Sequence, residues 1–182
     1  MSPIMALNAT LFKTTLDISD IRRHYYQTHQ FTVARHPSET DERMMLRILA
    51  FALYAEEHLE FTKGLSTDDE PDLWLKSLTG EIDLWIELGL PSEKRMRKAR
   101  GVAKQVVLLI YGGRTAQMWW DEHSSKISRY GNVRVIEVNP EDSAILTAMA
   151  QRTMKLQCTI DEGSVWFSDA SSNVDVQLIT RC

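Results

Sequence analysis

Two carboxylates give this sequence its first chemical question. In "EPDLWLKSLTGEIDLWIELGLP", residues 70 to 91, Asp72 and Glu87 sit on two runs that read as strands folded back on each other. With Thr79-Gly80 as a two-residue hairpin turn, the register that sets Leu78 against Glu81 also sets Asp72 across from Glu87. The same register pairs Trp74 with Trp85 and Lys76 with Asp83 on one face, and Leu73 with Ile86 and Leu75 with Leu84 on the other. Facing carboxylates, about 5 Å apart at Cβ, destabilise a hairpin and call for a cation. Mg²⁺ or Mn²⁺ on Asp72 and Glu87 meets that need while keeping waters for chemistry. A structural ion cluster meets it equally well, with Arg35, Lys94 or Lys98 as the partner. Glu42 is a third acid: it precedes Met45 by three residues and Leu49 by seven, beside an apolar helical stripe, whereas Arg43 and Arg47 belong to another face.

These residues need elements to position them. "ALNATLFKTTLDISD" and "RRHYYQTHQFTVARH" predict an antiparallel strand pair with "DISD" between its arms. Ser38 is the expected N-cap of a helix running to about residue 60, with Met45, Ile48, Leu49 and Ala52 at helical spacing, and "KGLSTDDEP" breaks the pattern. Ser92 caps a basic helix. "VVLLIYGG", "TAQMWWDEHSSKI", "NVRVIEV" and "PEDSAILTAMAQR" then alternate strand and helix, which requires right-handed crossovers and a partly parallel sheet. The tail returns to antiparallel strands with turns at "DEG" and "DASSN". The expected fold class is α/β: one domain over residues 1–182, a mixed sheet flanked by helices, with extra antiparallel strands at both ends.

Composition narrows the function classes. A chain of 182 residues with 43% hydrophobic content can bury one substantial core, and a net charge of -4 argues against a general nucleic-acid coat or a polybasic membrane binder. Two cysteines, Cys158 and Cys182, make no disulfide framework and suit a reducing cytosol. The first residues, "MSPIMALNATLF", lack the pattern of an export signal, and no apolar run reaches the length of a membrane span. The cytoplasm is the expected location. The basic helix "EKRMRKARGVAK", residues 93–104, could hold a phosphate backbone, although a solvated helix face is the commoner origin of such a run. "YGGR" is a candidate anion cradle that matches no nucleotide fingerprint, and of Trp119 and Trp120 at least one belongs to the core. The five histidines show no zinc spacing.

"VARHPSETDERMMLR", "DDEPDLWL", "IDLWIELGLPSEKR" and "AQMWW", spread over nearly the whole chain, resemble the YaeQ family of bacterial proteins. That family resembles a variant of the PD-(D/E)XK nuclease fold, restriction-endonuclease-like in its core, with an acid on one strand and Glu-X-Lys on the next. The resemblance places Pro71-Asp72 and Glu87-Leu88-Gly89 at those positions and matches Glu42 to a helical acid of the superfamily. Gly89 stands where the motif has lysine, and the resemblance offers Lys94 or Lys98 as its substitute.

Two functions follow. One is a Mg²⁺- or Mn²⁺-dependent nuclease or phosphodiesterase in which Asp72 and Glu87 bind the metal, Glu42 assists, and Lys94 or Lys98 stabilises charge, with nucleic acid held along helix 93–104. The other is a catalytically inactive binding or interaction module on the same fold, its acid pair kept as an ion cluster. Gly89 and the acidic net charge favour the second; the carboxylate register and the basic helix favour the first.

Overall fold

In the computed structural model, which describes residues 8–63 and 68–182, the strands divide between two sheets rather than forming one. The first seven residues and residues 64–67, the middle of "KGLSTDDEP", lie outside the described part.

Strand β1 (Thr10–Asp20) buries Phe12, Thr14, Leu16, Ile18 and Asp20 in strict alternation, the period-2 signature of a half-buried strand. It pairs antiparallel with β2 (Tyr25–Arg35) along its whole length. The "DISD" expected as the turn belongs to β1, and the chain reverses one step later, through a 3-10 turn at Ile21–Arg23 and a left-handed His24 at φ 53°. Here β-branched Ile18 and the buried Asp20 keep the strand running, because both point into the core.

Helix α1 (Asp41–Tyr54) is capped by Thr40, whose side chain accepts from the Arg43 N–H; Ser38, the expected cap, bonds His36 instead. The helix stops at Tyr54, short of the expected residue 60, and β3 (Leu59–Phe61) follows. Then come β4 (Leu73–Lys76), β5 (Ile82–Leu88), α2 (Glu93–Val102), β6 (Ala103–Ile110), α3 (Arg114–Ile127), β7 (Val133–Val138) and α4 (Pro140–Ala148). The chain ends with β8 (Thr153–Asp161), β9 (Ser164–Ser168), β10 (Asn173–Asp175) and β11 (Leu178–Thr180).

The first sheet has the order β10-β9-β8-β1-β2, and its β8 lies parallel to β1, so the N-terminal pair and strands β8 to β10 share one sheet while β11 crosses to the other. The second has the order β11-β7-β6-β5-β4-β3, with β5, β6 and β7 parallel as the strand-helix alternation predicts. Between the sheets runs α1, buried at every position from Met44 to Leu53. Its core partners are Leu16, Ile18 and Leu156 from one sheet and Ile86, Val107 and Leu109 from the other. On the far face of the second sheet, α2 and α3 cover Trp85, Val106, Leu108 and Ile110 with Met96, Ala99, Ala116 and Trp119. The alternation of Val107 and Leu109 with Val106, Leu108 and Ile110 explains the continuous apolar run of β6: both of its faces are covered. This arrangement leaves the carboxyl ends of β5 and β6 facing the N-termini of α1 and α2, where the acids lie.

Candidate functional site

The hairpin delivers Asp72 and Glu87 to one place, by a different turn from the expected one. A three-residue loop, Leu78-Thr79-Gly80, joins the strands: the Ser77 N–H donates to the Glu81 carbonyl at 2.8 Å and the Gly80 N–H to Ser77 at 3.0 Å, with Gly80 at φ 87°. Such a loop starts the ladder one residue out of the expected register, and a bulge leaving Asp83 unpaired restores it. Leu75 then faces Leu84, Trp74 faces Trp85 and Leu73 faces Ile86 as predicted. The expected Lys76–Asp83 pair is lost to that bulge. Lys104 meets Asp83 at 2.7 Å, and the Lys76 ammonium lies 3.7 Å from the centre of the Trp74 ring.

Asp72, one residue before β4, donates its N–H to the Ile86 carbonyl at 3.0 Å, continuing the restored register toward Glu87. Its carboxylate is 2% exposed and fully engaged: Oδ1 accepts from Arg43 Nη2 at 2.6 Å and Oδ2 from the Leu88 N–H at 2.8 Å. Glu87 is equally occupied. Its Oε1 accepts from Arg95 Nε at 2.6 Å and its Oε2 from the Trp85 indole N–H at 2.9 Å. The Ser92 cap accepts from the N–H of Arg95, the third residue of α2, and the Arg95 side chain reaches back to β5. The rest of the Arg95 fork donates to the carbonyls of Asp68, at 2.9 Å, and Glu70, at 2.6 Å, pinning the segment that leads into Asp72.

The network continues into α1. Arg43 Nη1 donates to Glu39 at 2.7 Å, and Arg47 Nη2 donates to the other Glu39 oxygen at 2.5 Å and to the Ala34 carbonyl at 3.0 Å. Arg47, Glu39, Arg43 and Asp72 thus alternate in charge. Arg43 and Arg47, which the sequence places away from the acids, are the cations that neutralise this cluster, because burial of α1 from Met44 to Leu53 leaves Glu39 and Asp72 as the carboxylates within their reach. Their four-residue spacing after Glu39 is the signal in the sequence that marks them.

Protonation follows from these contacts. Burial pushes the Glu87 carboxyl above the ordinary glutamate range; the Arg95 hydrogen bond pulls it back and the Asp72 charge pushes it further up. Burial opposes the Arg43 charge, but Asp72 and Glu39 outweigh it and raise its pKa. Burial also raises the hydroxyl of Tyr111, just past β6, which senses Arg43, Glu42 and Asp72.

The other predicted residues go elsewhere. Glu42 accepts a 2.6 Å hydrogen bond from the Ser143 hydroxyl and ties α1 to α4. Lys98 is exposed and pairs with Asp69. Lys94 is exposed on the outer side of α2. Much of the basic run is locally balanced: Arg97 and Lys126 share Glu93, and Arg100 lies over the Tyr130 ring. The Trp119 indole N–H donates to the Pro91 carbonyl from within the core, so it is not a stacking platform.

The donor set tests the fit of a divalent ion. Each oxygen of Asp72 and Glu87 already accepts from a protein donor, and a guanidinium compensates each charge. Among the described residues no three His, Cys, Asp or Glu side chains come together as metal ligands. In this arrangement the pair fits an arginine-neutralised cluster and not a Mg²⁺ or Mn²⁺ site. Among the described residues, no helix is long and apolar enough to cross a membrane.

Residues 5–178 match the family model described as YaeQ protein. The chain is 48% identical over 174 residues to the "Uncharacterized protein YaeQ" of Escherichia coli strain K12, and equally to that of Salmonella typhi, with 96% of each chain covered. The crystal structure of YaeQ protein from Xanthomonas axonopodis pv. citri superposes with a TM-score of 0.92 at 46% identity, covering 95% of this chain and 98% of that one. The YaeQ protein from Pseudomonas syringae gives 0.91 at 35% identity, with 96% of each covered.

Proposed function

For this chain, which belongs to the YaeQ family, we propose the role of a binding or interaction module on a variant of the PD-(D/E)XK nuclease fold, with the acid pair retained as a structural ion cluster. One observation carries the reading: all four oxygens of Asp72 and Glu87 accept hydrogen bonds from protein donors, two of them from guanidinium groups. A catalytic metal would have to displace Arg43 and Arg95 from buried carboxylates, and each released guanidinium would then need new partners.

Gly89 supports the same reading. It holds φ 93°, a backbone that side-chain-bearing residues rarely adopt, so a lysine at the motif position would be strained whatever the space around it. Lys94 and Lys98, the substitutes, point to solvent and to Asp69. The cluster has a mechanical role in this module. Arg95 fastens the segment at Asp68 and Glu70, Arg43 fastens Asp72, and together they lock the ends of β4 and β5 to the two helices.

Calorimetric titration of Mn²⁺ and Mg²⁺ into the wild type and Glu87→Ala, followed by incubation of the wild type with DNA and RNA in Mn²⁺, tests the proposal. The expected result is no one-site binding heat and no cleavage. One ion per chain that is lost in Glu87→Ala, together with cleavage of either nucleic acid, would establish the metal-dependent phosphodiesterase instead.

A further inference from the structure

At the other end of the second sheet, where β5, β6 and β7 begin, lies a cavity of about 520 Å³ that the acid pair does not touch. Leu75, Leu84, Ile136 and Leu178 make its apolar side, and Leu53 closes it from α1. Over this floor stand Arg22, Arg23 and Arg134, with Tyr54 and Gln105 beside them.

The arginines are held without being used up. Asp20, fully buried, accepts from Arg22 Nε at 3.0 Å, from Arg22 Nη2 at 2.8 Å and from Arg23 Nε at 2.8 Å, while Arg23 Nη1 donates to the Ala55 carbonyl at 3.0 Å. These bonds leave Arg22 Nη1 and Arg23 Nη2 with donors to spare. Among the described residues, neither the Arg134 guanidinium nor the Tyr54 hydroxyl forms a hydrogen bond or ion pair with the protein. Burial raises the Tyr54 hydroxyl, and Arg134 and Arg22 both act on it in the opposite sense, so the three groups converge. Of the nearby acids, Asp83 is neutralised by Lys104, which leaves Asp20, shared by Arg22 and Arg23, and the exposed Glu56 against three guanidiniums.

We propose that this cavity is a binding site for a small phosphate monoester with a flat apolar body, of nucleotide size. The phosphate lies between Arg134, Arg22, Arg23 and the Tyr54 hydroxyl, and the body rests on the leucine and isoleucine floor. A phosphate dianion can accept more donors than a carboxylate, and three forks plus a hydroxyl suit it. The volume falls within the roughly 300–1,000 Å³ typical of small-molecule sites. The site is separate from the acid pair and stands whichever way the metal titration falls.

The test is calorimetric titration of adenosine 5′-monophosphate, phenyl phosphate, inorganic phosphate and adenosine into the wild type and Arg134→Gln. Arg134 is exposed and unpaired, so its substitution leaves the fold intact, whereas Arg22 and Arg23 compensate a buried charge. At least one of the two esters is expected to bind at one site per chain with a Kd below about 1 mM, with inorganic phosphate and adenosine each about tenfold weaker or more. Arg134→Gln is expected to weaken the ester about tenfold or more, the effect of losing a charge-assisted hydrogen bond. If neither ester binds at about 5 mM, if adenosine binds as well as its monophosphate, or if Arg134→Gln has no effect, the proposal is overturned.

Discussion

The two ends of the second sheet use arginine in opposite ways. At the carboxyl end, Arg43 and Arg95 spend their donors on Asp72, Glu87, Glu39 and two backbone carbonyls. At the amino end, Arg22 and Arg23 share one aspartate, and Arg134 has none. The first end is closed and balanced; the second is open and carries excess positive charge. Density of charged residues therefore does not identify a ligand site. What matters is how many donors remain after the protein has satisfied its own acids.

Removing one guanidinium from each end should separate the two most strongly. Arg43→Ala strands the buried Asp72 and half of the Glu39 pairing, and a loss of about 3–5 kcal/mol is expected, as for other buried pairs cut on one side. Arg134→Ala should change stability by no more than about 0.5 kcal/mol. Urea unfolding of both variants decides it, and equal effects would mean that the two ends do not differ as described.

A smaller effect separates the ends by sign of pH dependence. Glu87 has a raised pKa in the folded state, so its favourable contribution is complete below the ordinary glutamate value of about 4.3 and is lost as pH rises through the folded value. Asp20 is the reverse: burial alone would raise it, but the Arg22 and Arg23 hydrogen bonds outweigh burial and hold it at about 2. Its contribution is present above the ordinary aspartate value of about 3.9 and is lost as pH falls toward the folded value. Stability measured from acid to neutral pH should therefore fall with rising pH in the wild type relative to Glu87→Gln, and rise relative to Asp20→Asn. The Asp20 trend should amount to about 1–2 kcal/mol, discounted for the partly exposed arginines. Parallel trends would refute the contrast.

The smallest effects belong to α2. Lys94→Ala and Lys98→Ala should each shift the unfolding free energy by less than about 0.5 kcal/mol, since both ammonium groups sit in solvent. A larger loss in either variant would tie that lysine to the closed end.

Much of the scaffold is legible in the sequence alone. The Trp74–Trp85 and Leu73–Ile86 pairs, the Ser92 cap, the Pro140 opening of α4 and the parallel order of β5, β6 and β7 all follow from local pattern. Local rules give way where they have competitors. Thr79-Gly80 allowed a two-residue turn, yet a three-residue loop with a compensating bulge gives the same register farther along. Local pattern attaches the terminal strands to one sheet; the parallel pairing of β1 with β8, set by contacts across most of the chain, makes β1, β2, β8, β9 and β10 a sheet of their own, and only β11 joins the other.

By itself, then, the sequence determined that Asp72 and Glu87 would meet, because strand alternation and register are properties of neighbouring residues. It did not determine which cation would meet them. Arg43 reaches Asp72 across 29 positions and Ser143 reaches Glu42 across 101. Such pairings depend on how α1 is clamped between the sheets and which of its polar side chains that enclosure turns toward the acids. Only the tertiary structure makes that choice, since a long side chain's partner is set by what packing leaves within its reach.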